Sequence, residues 1–224
     1  MCGRFAQYNS RNDFFEALGI GPEELTYDAE PIGRYNVSPG TKVLLLNERD
    51  GDLKFDPVYW GYGPEWWDKP PLINARSETA ATGRMFKPLW EHGRVIVPAS
   101  GWFEWKRDGD QKQPYFIYQR DKEPLFFLAI GKPPFDREHG QEGFVIVTAA
   151  SNQGIVDIHD RRPLILRADA VREWLSQDTS PARAAEIAHD SALPETDFTW
   201  HPVATKVGNV HNQGPDIIRC INSS

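Results

Sequence analysis

RVIVPASGWFEWKR, Arg94 to Arg107, is the stretch whose reading decides the fold, because β-branched and aromatic residues crowd it as they crowd strands. The same signal fills KVLLLNER (42–49), LKFDPVYWGY (53–62), PYFIYQ (114–119), LFFLAIG (125–131) and GFVIVTAAS (143–151), with Gly, Pro and Asp between the runs. Helical signals lie outside this block. Ser10 with Asp13 three residues on, then Phe14, Phe15 and Leu18 and a stop at Gly19, predicts a short capped helix with one apolar face. Further helices are expected around Ser77 to Gly83, near Asp169, and at Ser180-Pro181, where a serine cap precedes proline at the first helical position. Short strands at this density close into a barrel or pack as curved sheets. The expectation is an α+β fold: an irregular, mostly antiparallel β-barrel-like core with peripheral helices, in a single domain over 1–224.

The 224 residues carry 8 Trp and 18 Pro in an otherwise ordinary globular composition. Two cysteines, Cys2 and Cys220, cannot build a disulfide framework for this length, and no CxxC or CxxH pair suggests a zinc site. No basic region followed by an apolar run opens the chain, and its apolar runs are too short to span a bilayer. These features predict a soluble cytoplasmic protein, a monomer without metal or cofactor. A net charge of −7 argues against a polyanionic partner overall. The balance reverses locally. Lys69, Arg76, Arg84, Lys87, Arg94, Lys106, Arg107 and Lys112 outnumber Glu78, Glu91, Glu104, Asp108 and Asp110 between positions 69 and 112. Fields are local, so this region can attract an anion.

Five stretches are richer in Asn, Arg, Glu, His, Gly and Trp than strands and turns require: RYNVSPG (34–40), WGYGPEWW (60–67), INARSET (73–79), PASGWFEW (98–105) and DIHDRRP (157–163). An extended Gly101–Trp105 places Trp102 and Glu104 on one face and Phe103 and Trp105 on the other. Desolvation among indoles then raises the Glu104 pKa toward neutrality and makes it a proton donor; a salt-bridged surface glutamate is the plainer alternative. His159 stands between Asp157 and Asp160, which would raise its pKa if either is within reach. Asn74 and Arg76, two apart, project to one side of an extended segment and suit an anion, while Asn74 or Ser77 could equally cap the next helix. Adjacent Trp66 and Trp67 point to opposite sides of a strand, which leaves one as a stacking surface or as a lid on the core.

Cys2 follows the initiator methionine. Removal of Met1 would give it a free α-amine beside its thiol. Such an amine, with an ordinary pKa of about 7.7 to 8.0, forms a Schiff base with an aldehyde. The neighbouring thiol can then close a five-membered thiazolidine, aided by proximity. A small buried residue in a first strand is the alternative.

Together, Cys2, the NAR, GWFEW and HDRRP stretches and HPVATKVGNV (201–210) closely resemble the SRAP family, whose members shield abasic sites in single-stranded DNA. The resemblance implies Cys2 as the crosslinking nucleophile, Asn74 and His159 as residues that recognise the abasic sugar, and Glu104 as the acid that helps open it. It implies further that Arg76 and Arg161 hold phosphates, that the aromatics around Trp67 support a bent strand, and that Arg4, Asn36, Trp66 and Arg84 complete the DNA-binding set. Single-stranded DNA containing abasic sites is the implied partner. Two readings compete with covalent capture: an N-terminal-nucleophile cysteine hydrolase, and a non-covalent single-stranded nucleic-acid binding module.

Overall fold

The computed structural model describes residues 2–21, 30–132, 140, 142–152 and 154–222. The fold-deciding stretch contains two strands, β6 (Arg94–Ala99) and β7 (Gly101–Asp108), and Ser100 between them is where the chain passes from one sheet to another. That crossing is fixed by hydrogen bonds. The Ser100 N–H donates to the Ala6 carbonyl at 2.7 Å, and its Oγ accepts from the backbone N–H groups of Tyr8 and Asn9.

The first sheet joins β7 to β1 (Phe5–Gln7), β2 (Arg34–Val37), β8 (Gln111–Gln119) and β12 (Phe198–Pro202), in the order β12-β8-β7-β1-β2. The second joins β6 to β3 (Lys42–Arg49), β4 (Asp52–Tyr59), β9 (Leu125–Gly131), β10 (Phe144–Ala150) and β11 (Arg161–Pro163), in the order β11-β10-β9-β6-β3-β4. The short β5 (Asn74–Arg76) attaches to β10 in parallel; the other pairings among these strands are antiparallel. Neither sheet closes on itself among the described residues, so the barrel-like part of the expectation gives way to two open, packed sheets.

Period-two alternation sends each strand's side chains into different layers. Phe5, Trp102 and Ile117 from the first sheet meet Val43, Val97, Phe127, Phe144 and Ile146 from the second in a core between the sheets. The second sheet turns Ile96, Phe126, Leu128, Val145 and Val147 outward, onto helices. These are α1 (Arg11–Ala17), α3 (Lys87–His92), α4 (Val171–Leu175) and α5 (Pro181–Asp190); α2 (Ser77–Ala80) follows β5 directly. The first sheet's outer face holds Ala6, Phe103 and Phe116 under a C-terminal segment carrying Val203, Val207 and Ile217. Gln7, fully buried, ties the sheets together by donating from Nε2 to the carbonyls of Leu44 (3.0 Å) and Pro98 (2.8 Å).

The helix punctuation follows the sequence at two places. Ser10 and Asp13 form a reciprocal capping box on α1, Gly19 takes φ +76° after it, and Ser180 caps α5 ahead of Pro181. At α2 neither Asn74 nor Ser77 caps, and α4 likewise has no side-chain cap, so Asp169 does not play that part. Asn74 is engaged elsewhere.

Gly101 opens β7 for a packing reason. A Cβ there would lie 2.3 Å from the Phe116 ring and 2.8 Å from the Ile117 carbonyl oxygen. Gly101→Ala is therefore expected to cost about 1–3 kcal/mol of stability, the usual range for overpacking, read as a lower urea midpoint at unchanged m-value.

Candidate functional site

The first described residue is buried between the sheets. Cys2 is 0% exposed and packs in the same layer as Phe5, Trp60 and Trp102. The parallel register of β5 on β10, with Asn74 opposite Ile146, brings the Asn74 amide to it: Nδ2 donates to the Cys2 carbonyl at 3.2 Å and to that of Ile146 at 3.4 Å. Ala75 points into the helix-side core while Asn74 and Arg76 take the other side, as the spacing of two predicts.

Glu104 lies on the Trp102 face of β7 and is 2% exposed. Phe103 and Trp105 face the opposite layer, as strand alternation requires. Burial pushes the Glu104 carboxyl up to about 8, so it is mostly protonated at neutral pH. Burial also raises the Cys2 thiol well above its ordinary value, and the nearby Glu104 charge adds to that rise. Both groups are held neutral.

His159 borders a cavity of about 590 Å³ that Glu104 also lines. Trp105, Lys106, Arg107 and Lys112 form one wall, and residues 156–160 another. His159 Nδ1 lies 3.1 Å from the Arg161 N–H and 3.2 Å from the Arg161 carbonyl oxygen. Asp160 reaches 3.2 Å from Nδ1, yet the imidazole is held below the usual histidine range, because burial outweighs that carboxylate. The expected upward shift is thus reversed.

Three polar atoms around this centre are buried without a hydrogen-bond partner among the described residues: Asn74 Oδ1, Glu104 Oε1 and Trp102 Nε1. Each costs about 1–3 kcal/mol in a finished core, which makes the cluster read as a place prepared for a ligand. No group of three or more His, Cys, Asp or Glu among the described residues could hold a metal ion.

Around the centre the other predicted residues divide. Trp66 is 50% exposed, with the Arg84 guanidinium 4.4 Å from its ring centre, and Lys69 lies 5.4 Å from the ring centre of Trp67. Arg76 is exposed as well. Arg161, by contrast, is nearly buried; its fork holds both Glu78 oxygens (2.8 and 3.0 Å) and the Thr148 carbonyl. Arg4 donates to Asn36 Oδ1 and to the carbonyls of Val207 and Gly208, while the Asn36 amide donates to the carbonyls of Val207, Asn209 and Asn212. Those two tie HPVATKVGNV onto the first sheet. Lys106, Arg107 and Lys112 were visible in the sequence only as part of the local basic excess.

This constellation matches a known family. The family model described as SOS response associated peptidase (SRAP) fits residues 1–210. The chain belongs to the SRAP family. It is 61% identical to the abasic site processing protein YedK of Escherichia coli over 98% of this chain and 99% of that protein. The abasic site processing protein HMCES of Xenopus tropicalis is 31% identical over 84% of this chain and 66% of its own length. A crystal structure of a phage-related protein from Bordetella bronchiseptica has a TM-score of 0.78 at 37% identity, covering 91% of this chain and 95% of that one. In this SRAP chain Asn74 bonds to Cys2, Cys2 packs in one layer with Trp102, and His159 shares a cavity with Glu104.

The Glu104 shift has a consequence for stability. Its folded pKa lies above the unfolded value, so its contribution is fully present below about 4.5 and is lost as pH rises through about 8. The melting temperature of the native chain should fall between pH 5 and 9, and Glu104→Gln should flatten that fall; parallel profiles for the two would contradict the shift.

Proposed function

We propose that this SRAP protein processes abasic sites in single-stranded DNA by covalent capture, forming a thiazolidine between Cys2 and the opened sugar. The observation that carries the reading is the enclosure of Cys2 by Asn74 and by a carboxyl kept protonated near neutral pH. The names of the relatives, abasic site processing proteins, point to the same substrate.

The steps balance without redox chemistry. Hydrolysis of the Met1–Cys2 peptide bond frees the α-amine; Met1 itself lies outside the described residues. An abasic deoxyribose is mostly a closed hemiacetal, and Glu104 protonates the ring oxygen while a base takes the anomeric hydroxyl proton, which exposes the aldehyde at C1′. Neutral His159 suits that base role. The amine adds to C1′ and water leaves, giving an imine. The thiol then adds across the C=N bond, sulfur to C1′ and its proton to nitrogen. Asn74 holds the Cys2 backbone throughout, and its free Oδ1 faces the same centre.

An abasic position offers no base edge, so recognition falls to the aldehyde, the backbone and the flanking bases. Trp66 and Trp67 offer stacking surfaces worth about 1–3 kcal/mol per base, with Arg84 over the one and Lys69 over the other. The Arg161 fork presents to Glu78 the geometry it would present to phosphate, so an arriving strand exchanges one anion for another.

Incubation with abasic, intact and peptide substrates separates this reading from its rivals. Covalent capture predicts a heat-stable shifted band on a denaturing gel only with abasic DNA, and its loss in Cys2→Ala. Peptide cleavage without a band would favour the hydrolase named in the family description, and binding without either would favour a plain binding module. Glu104→Gln should slow crosslinking at pH 7 on the order of 10²-fold or more while leaving affinity nearly intact; equal losses in both would remove its acid role.

A further inference from the structure

The cavity that holds Glu104 and His159 has a wall that the proposed recognition set does not use. Lys106, Arg107 and Lys112, on the β7–β8 hairpin, all line it, while Trp66 and Arg84 do not. Lys106 and Lys112 also line a second cavity of about 320 Å³, on the same hairpin, with Gln111, Gln113 and Tyr115. Arg107 and Lys112 are Cα partners directly across the ladder. Like charges in that position repel and destabilise a hairpin. Both are exposed, Lys106 is half-buried, and none of the three makes an ion pair within 4 Å among the described residues. Carboxylates stand near them as well, Asp157 and Asp160 on the facing wall and Asp108 and Asp110 at the hairpin tip, but none comes within ion-pair distance of the three. Lys106 extends from the Glu104 face of β7 and Arg107 and Lys112 from the other, so the three cations border the cavity from both faces of the hairpin, open to an anionic strand that passes its edge.

We propose that Lys106, Arg107 and Lys112 form a phosphodiester-binding arm, which grips the strand backbone on a flank of the cavity separate from the Trp66–Arg84 surface. The arm rests on the proposed capture of abasic DNA, since it assumes a strand threading this cavity. A strand held on both flanks presents its abasic sugar to Cys2 with neither side free to swing out, a positioning effect.

The test uses single strands carrying a tetrahydrofuran analogue, which sets the register but has no aldehyde, so binding is read without crosslinking. The combined Lys106→Gln, Arg107→Gln and Lys112→Gln variant should bind more weakly. The slope of log affinity against log salt should shrink by about 0.7 for each phosphate that is no longer neutralised, up to about 2 in all. Trimming the nucleotides on one side of the analogue should abolish the difference between variant and parent, and trimming the other side should preserve it. An unchanged slope, or a deficit indifferent to which side is trimmed, overturns the arm. Neutral methylphosphonates on the gripped side should reproduce the loss with the unaltered protein, which keeps the test valid if the variant folds poorly. Failure of covalent capture shows instead as no heat-stable band from the parent with true abasic DNA, a result independent of these slopes.

Discussion

The hydrogen bond from Asn74 Nδ2 to the Cys2 carbonyl is the contact on which the arrangement of the site depends. It runs from the second sheet to the segment that enters the first, so it fixes the start of the chain against both. Ordering a terminal residue costs about 1–2 kcal/mol of backbone entropy, which is why most termini stay loose. Here the cost is offset by burial. Phe5, three residues on, packs 5.2 Å from the Trp60 ring and 5.7 Å from Phe127, and Gln7 clamps the strand to the opposite sheet. Cys2 inherits its position from a core that would exist without it.

The same burial drives two titratable groups in opposite directions and leaves both uncharged. An acid taken out of water keeps its proton, so Glu104 shifts up; a base taken out of water gives its proton away, so His159 shifts down. At neutral pH the cavity therefore holds a proton donor and a proton acceptor, the pair that opening a cyclic hemiacetal requires. A well-solvated site would hold the reverse pair, carboxylate and partly charged imidazole. The orphaned oxygens of Glu104 and Asn74 follow from the same exclusion of water: polar groups are kept dry and without partners among the described residues.

Much of this was legible in the sequence wherever a local rule sufficed. Alternation along GWFEW separated Trp102 and Glu104 from Phe103 and Trp105, and the Ser10–Asp13 and Ser180–Pro181 signals placed two helix starts. What stayed hidden required a partner far along the chain. The join at Ser100 is set by Ala6, Tyr8 and Asn9, more than ninety residues earlier, so RVIVPASGWFEWKR reads as a single run until the fold divides it. The His159 shift depended on a balance between burial and Asp160 that spacing alone cannot weigh. Arg161 and Arg84 look alike as letters, yet one is buried against Glu78 and the other lies open over Trp66.

That difference between cations bears on how an acidic chain can hold DNA. Inward-facing arginines such as Arg4 direct their donors to backbone carbonyls, and in doing so they shape the site while their charge stays within the fold. Outward-facing ones such as Arg84 keep their charge at the surface, where the strand of the proposed function would meet it. With Arg84 and Lys69 over tryptophan faces, each cation is coupled to a stacking surface, so a base and its phosphate can be held by neighbouring groups. Association then depends on a few placed charges rather than on the net charge. Long-range attraction is weak for such a chain, so under the proposed function a flexible strand able to bend its bases onto the indoles would gain more than an intact duplex.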